Sequence, residues 1–292
     1  MLSTKHKIAI ARFLNMAIVG ARSLAGRPSS VTVRRRNVNW KLNLNEGIDF
    51  ALYLGLYQRL PHRVTRWVTP GALVLDVGAN IGAHSLLLAR AAGGSGHVVA
   101  IEPTDYGFSC LRANAELNPD LLARLIPVQA ALTSGAKRQD SMNVTRFHSR
   151  WPLRSGDIER HATHMGVLET ANGARFLTLD DMLTEIRAKY KIDRPVAFIK
   201  LDVDGHELDV LQGATQTLGL QPPPILIEIA PHVQDEVPQR FEALLRLLES
   251  YGYQLEEAES GKRLPMSAPA LRALIVDGAS IDAIARAEQK TL

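Results

Sequence analysis

The residues with the most chemistry in this chain stand at the ends of apolar runs. Leu73-Val74-Leu75 leads to Asp76, Val98-Val99-Ala100-Ile101 to Glu102, and Ile225-Leu226-Ile227 to Glu228. A fourth run, Pro195 to Leu201, ends in Lys200-Leu201-Asp202-Val203-Asp204-Gly205-His206-Glu207. Short apolar runs of this kind suit strands of a parallel sheet buried on both faces. In open α/β sheets, ligands bind outside the carboxyl ends of the strands, near the point where the strand order reverses. Several acids, a lysine and a histidine therefore share one rim. Carboxylates there can hold hydroxyl or ammonium groups, and a neutral imidazole can take a proton at physiological pH. Two of the acids have a competing structural explanation, with Asp204 capping the following helix and Glu207 favouring its first turn.

The stretch that organises the rim is Ala72 to Arg90, ALVLDVGANIGAHSLLLAR. It reads as a buried strand closed by Asp76, a tight turn from Gly78 to Gly82, and an apolar helix from His84 onward. Glycine permits close backbone approach, and the first N–H groups of a helix favour polar or anionic partners. Glu102 lies 20 residues beyond Gly82, which places it after one βαβ unit at the end of the neighbouring strand, where ribose hydroxyls are bound. The turn lacks the third glycine of the dinucleotide fingerprint. Asp76 would repel a pyrophosphate but accept the ammonium of an amino-acid-bearing nucleoside. The pattern points to S-adenosylmethionine (SAM), with Asp76, Gly78, Asn80, Gly82 and Glu102 around it and Ala130, in the segment Gln129–Ala131, against the adenine.

The flanking elements follow from periodicity. Ile10, Phe13, Leu14, Ala17, Ile18 and Ala21 fall on one helical face. Packing of that face on the protein or on a partner subunit is expected, with peripheral membrane contact through residues 8–22 as the alternative. Arg12 and Asn15 interrupt the stretch Ile8 to Gly20, so it is too short for a span, and Arg12 argues against a leader peptide. Val31–Val33 and the alternating Val38–Leu44 read as a hairpin. Ile48–Leu60 and Val64–Val68 read as helical. Residues 1–70 thus form a helix, hairpin and lead-in, and residues 71–292 the SAM-binding domain, with an irregular substrate-side insertion at about 133–174. Glu207 to Leu218 reads as one helix, and Leu274–Val276 as the last strand before a short tail helix. Within the insertion, Arg146, His148, Arg150 and Trp151 are candidates for the acceptor, joined by His84 in the glycine cradle. His161 and His164 read as a solvated helix face.

Composition sets outer bounds. With 46% hydrophobic and 22% charged residues, the chain is an ordinary globular one. The net charge of +4 is concentrated near the amino terminus, and Arg34-Arg35-Arg36 reads as a solvated turn because no nucleic-acid-reading motif accompanies it. Cys110 is alone, so neither an intramolecular disulfide nor a cysteine-based zinc site is expected. A cytoplasmic location follows as the expectation, extended to the inner membrane face if the first helix meets lipid.

With these motifs in hand, the chain resembles the FkbM family of class I SAM-dependent methyltransferases. The resemblance rests on LDVGANIGAHSLLLA, VVAIEP, LTLDD, KLDVDGHELDVLQGA and ILIEI, and spans roughly residues 40–257. It implies a Rossmann-like α/β fold, here with an amino-terminal helix and hairpin added. The sheet would have seven mostly parallel strands, one of them antiparallel. It also implies SAM as methyl donor and methylation of a hydroxyl oxygen, often on a sugar or polyketide. Two departures stand out: the family commonly has glutamate where Asp204 stands, and often an acid after the tyrosine near Tyr57, where this chain has Gln58.

Within that frame His206 is the expected general base, and Asp202 would orient it or bind the ammonium. A metal is not expected, although Asp202, Asp204 and Glu228 offer the hard oxygen ligands that magnesium takes. The acceptor would be a hydroxyl on a sugar, glycolipid or secondary metabolite. Two other readings compete, an NAD(P)-dependent oxidoreductase and a non-catalytic SAM-fold partner subunit attached through the first helix. Oligomeric state is not legible in the sequence.

Overall fold

Alternating apolar strands and amphipathic helices leave one economical solution, a sheet covered on both faces. A computed structural model, describing residues 4–56, 60–135, 146–154 and 166–288, has that architecture. Seven strands, β3 (Leu73–Val77), β4 (His97–Ile101), β5 (Leu125–Val128), β10 (Val196–Leu201), β11 (Ile225–Ile229), β12 (Tyr253–Glu257) and β13 (Ile281–Ala287), lie in the order β12-β13-β11-β10-β3-β4-β5. The pairs from β11 through β5 are parallel, and β13 runs antiparallel to both β11 and β12. The fold is therefore the expected Rossmann-like sheet with one antiparallel strand. From β3 the chain builds outward through β4 to β5, then returns to lay β10 on the other side of β3. That reversal puts the loops after β3 and β10 side by side.

Every residue of β3 is buried, and its side chains alternate between two cores. Leu73, Leu75 and Val77 pack with Met182, Leu183, Leu211 and Phe241, while Val74 packs with Leu86, Leu88, Leu111 and Trp40. The first face is covered by α6 (Leu179–Tyr190), α7 (Glu207–Gln212) and α10 (Arg240–Ser250), and the second by α3 (Ser85–Ala91) and α4 (Asp105–Glu116). Thr104 and Thr178 cap α4 and α6, accepting from the Gly107 and Asp181 amides at 3.2 and 3.0 Å.

The amino-terminal hairpin, β1 (Ser30–Arg35) and β2 (Val38–Asn43), buries Val38, Trp40 and Leu42 in the second core. Its free edge is satisfied by helix side chains rather than by another strand. Asn118 Oδ1 accepts from the Asn39 amide and Asn114 Oδ1 from the Lys41 amide, each at 2.8 Å. Asn114 also donates to the Ile81 carbonyl at 3.0 Å, linking the hairpin to the glycine turn.

Three expectations are corrected. Of the apolar stripe of α1 (Thr4–Leu24), Ile18 packs on the protein beside buried Asn15 and Val19, while Ile10, Phe13 and Leu14 face outward. The helix read through Leu218 is two helices, α7 and α8 (Thr215–Leu220), broken at Gly213, where a Cβ would lie 2.2 Å from the Thr133 carbonyl oxygen. At the carboxyl end, Leu274 closes a helix, α11 (Ala268–Leu274), and the last strand is β13. Pro269 stands in the first turn of α11. In β13, hydrogen-bonded between β11 and β12, Ile281, Ala283 and Ala285 are buried on one face of the sheet and Ile284 on the other.

Candidate active site at the sheet switch point

The turn after β3 is left-handed at three positions, Gly78 (φ +83°), Asn80 (φ +48°) and Gly82 (φ +85°). At Gly78 glycine is demanded by the protein's own chain crossing, because a Cβ there would sit 1.8 Å from the Asp202 carbonyl oxygen. The glycine thus lets the β3 and β10 loops touch, rather than opening space for a ligand. The Gly78 and Ala79 amides both donate to the Ile101 carbonyl, at 3.0 and 2.9 Å, and the Asn80 amide donates to Glu102 Oε2 at 2.8 Å.

A cleft of about 340 Å³ opens above these loops, within the size range of small-molecule sites. Its walls include Ile101, Pro103, Ala130, Ala131, Phe176 and Val210, and its polar groups come from Asn80, Glu102, His84, Lys200, Asp202, Asp204 and His206. Glu102 is buried, and its other carboxylate oxygen accepts from the Thr104 amide at 3.0 Å and from the Thr104 hydroxyl. Burial pushes its carboxyl up, against the pull of the Thr104 and Asn80 hydrogen bonds. Asp202 sits across β3 from it, two strand spacings or about 10 Å away along the sheet, with 37% of its side chain exposed.

Asp76 does not line the cleft, which corrects its expected place at the ligand's ammonium. Alternation along β3 turns it toward the α3 face, where it is fully buried and accepts from the Ser85 hydroxyl at 2.5 Å. Lys200 is its register neighbour on β10 and lies 3.5 Å from it. The same ammonium reaches Asp202 at 3.2 Å and donates to the Gly78 carbonyl at 2.8 Å, so Lys200 cements both loops. It also bears on His84, half-buried on the cleft wall. Burial, and then the Lys200 charge, hold that imidazole below its ordinary pKa and therefore neutral.

His206 precedes α7 and is half-exposed at the cleft, its ring edge-on to Phe147 with centroids 5.8 Å apart. Its acidic neighbour is Asp209, with Nδ1 3.4 Å from Oδ2, and not Asp202 as the sequence suggested. Lys200 already occupies Asp202, whereas Asp209 stands three residues along the same helix face. Burial disfavours the Asp209 charge, but hydrogen bonds from His206 and Arg240 outweigh it and hold its carboxyl below the usual range. Asp204 is not a helix cap either. It has φ +49°, and Glu207 braces the turn by accepting from the Val203 and Gly205 amides at 3.0 and 3.4 Å.

Asp202, Asp204 and Glu228 offer carboxylate oxygens that all lie within 4.8 Å of one another. Such crowding disfavours simultaneous ionisation. Burial and then Asp202 push Glu228 up to about 8, and the same causes raise Asp204 well above its ordinary value.

The insertion contributes β7 (Arg146–Arg150), paired with β8 (Val167–Thr170). Phe147, Ser149 and Trp151 line the cleft, and Ser149 accepts from the Asn80 side chain at 3.0 Å. Arg150 points elsewhere, with its guanidinium paired to Glu46 and Glu169 and stacked 4.3 Å over the Tyr106 ring. The side chains of Arg146 and His148, and the residues Tyr57, Gln58, His161 and His164, lie outside the described residues. Sequence reasoning missed Asp209, Phe147 and Lys200's double pairing. Only Asp209 had a local signal, its spacing from His206.

Comparison with known proteins adds an independent line. The family model described as "Methyltransferase FkbM domain" matches residues 76–255. A hexuronic acid methyltransferase, AglP of Haloferax volcanii, is 28% identical over 150 residues, covering 49% of this chain and 50% of that protein. The chain thus matches half the length of that curated relative. Among solved structures, a methyltransferase FkbM from Methylobacillus flagellatus shares 20% identity over 74% of this chain and 44% of its own, with a TM-score of 0.40. An O-methyltransferase from Bacillus cereus in complex with SAH shares 14% over 76% of this chain and 75% of its own, with a TM-score of 0.41. The fold rests on the strand order itself, not on these two likenesses.

Proposed function

The chain belongs to the FkbM methyltransferase family, its family match covering more than half of the sequence, and on that premise we propose that it methylates a hydroxyl oxygen of a sugar-type acceptor with SAM as donor. The observation that carries the reading is the cleft at the switch point. A hydrogen-bonded carboxylate, Glu102, faces it from the β4 side and a half-open one, Asp202, from the β10 side. Those two acids suit the ribose diol and the amino group of SAM, and the apolar wall at Ala130 and Pro103 suits its adenine. When bound, SAM supplies a methyl group already activated for transfer.

The protein's share is to align the acceptor and remove its proton. His206 is assigned as general base, with Asp209 positioning the ring and Phe147 packed against it in a T-shaped contact. Trp151 and the neutral His84 line the wall on which an acceptor would rest, and the hexuronic acid named for the Haloferax volcanii relative favours a saccharide there. A second reading has a specific observation behind it, the carboxylate spacing of Asp202, Asp204 and Glu228, which suits a hard divalent cation. Turnover that survives chelator treatment would leave the proton to His206 alone. The oxidoreductase alternative finds no support.

Calorimetric titration with S-adenosylhomocysteine tests the donor site. Micromolar binding is expected, weakened about 10- to 100-fold by Glu102→Ala, the scale of a lost hydrogen-bonded charge. Absence of binding by the folded wild-type protein would sink the reading.

A further inference from the structure

Helix α1 presents an apolar face that the rest of the described chain does not use. Phe13 is 70% exposed, Met16 62% and Leu24 93%, with Ile10 and Leu14 on the same side. The orientation is locked from behind. Buried Asn15 donates to the Leu44 carbonyl and accepts from Arg154 Nε at 3.0 Å, Arg154 also donates to the Met16 carbonyl, and Val19 packs against Leu44, Phe50 and Leu153. The helix is therefore held by a mixed face, Asn15 with Val19, Ile18 and Ala11, while a second apolar face is turned to the exterior, unlike an ordinary surface helix. Arg12, the one charged residue between positions 8 and 21, lies half-buried off that face.

Charge selects the occupant. Residues 1–45 contain nine Lys or Arg and no Asp or Glu, while the remainder of the chain is net acidic. Every formal charge of α1 itself, Lys5, Lys7, Arg12 and Arg22, is positive. Pairing this face with a second copy would bring two wholly basic arms together, whereas an anionic lipid surface neutralises them and takes the apolar side chains. Among the described residues no helix is long and apolar enough to cross a membrane. We propose that α1 docks the protein onto anionic bilayers, lying in the interface with Phe13, Met16 and their neighbours inserted.

Vesicle flotation of the full chain tests this. Vesicles of equimolar phosphatidylglycerol and phosphatidylcholine should carry the protein up, phosphatidylcholine alone should not, and about 0.5 M salt should release most of it. The double substitution Phe13→Glu/Met16→Glu, at side chains exposed in the fold, should leave the thermal midpoint unchanged and cut vesicle binding roughly tenfold or more. Equal flotation with both lipids, flotation with neither, or flotation indifferent to the substitution overturns the proposal. So does a dimer, seen by light scattering, that the substitution dissolves while vesicles bind nothing; that result would assign the face to a second copy.

Discussion

Two acidic settings share the rim of the sheet, and they are opposites. Glu102, after β4, stands alone among donors, its oxygens receiving the Asn80 and Thr104 amides and the Thr104 hydroxyl. Asp202 and Asp204, after β10, and Glu228, next to last in β11, stand together, with the Lys200 ammonium near Asp202. The first is a preset acceptor, rigid and matched to hydroxyl groups. The second is a concentration of negative charge that protons relieve in the free protein and that a ligand cation could relieve instead. A molecule with a diol at one end and an ammonium at the other would be oriented by this difference alone.

The comparison can be broken most severely at the point where the two settings touch. Gly78→Ala forces a Cβ into the Asp202 carbonyl and imposes φ +83° on an L side chain. A loss of about 3 kcal/mol or more is expected, which lowers the thermal midpoint by roughly 6–12 °C. S-adenosylhomocysteine binding should vanish with it. A variant that melts and binds like the wild type would show that the loops do not depend on each other.

A smaller but more selective effect is expected at His206. His206→Ala should lower kcat by about 10²–10⁴ while leaving the dissociation constant for S-adenosylhomocysteine within about twofold, since donor and proton acceptor are assigned to different parts of the cleft. Near-full turnover by the folded variant would move the base elsewhere, with the neutral His84 as the next candidate.

The smallest effect sharpens the second setting. Glu228 is raised to about 8 from a reference of 4.5, so the folded protein keeps a proton that the unfolded chain has released over that window. Its contribution makes stability fall as pH rises from about 4.5 to 8, the sign opposite to that of a salt-bridged acid. Asp49, buried and raised to about 7, adds a slope of the same sign. Glu228→Gln keeps the neutral shape and should flatten the decline in thermal midpoint between pH 6 and 8.5 by about 2–4 °C. Parallel curves for variant and wild type would show that the cluster carries no shared proton.

The sequence placed residues together well wherever a strand and the turn after it are written in consecutive positions. Gly78, Asn80, Glu102 and Ala130 line one cleft because two successive βαβ units bring the loops after β3, β4 and β5 to the same edge of the sheet. It read poorly where alternation or helix phase decides. Asp76 looked like a ligand-facing acid, but one position along a strand reverses the face, and it meets Ser85 instead. The alanines of β13 favour a helix in isolation, and antiparallel pairing with both β11 and β12 overrode that preference. Glu207 and Asp209 differ by two residues, yet one braces the turn and the other meets His206.

By itself, then, the sequence determined the parallel strands of the sheet, the family resemblance and the acids at their carboxyl ends, since apolar run length and glycine placement are local properties. Only the tertiary structure decided which acids stand alone and which crowd together, which carboxylate Lys200 and His206 each meet, and which face of α1 looks outward. Those outcomes depend on side-chain direction and on distances in space, some between segments more than a hundred residues apart such as Lys200 and Gly78, and electrostatics and burial are set by such distances rather than by order along the chain.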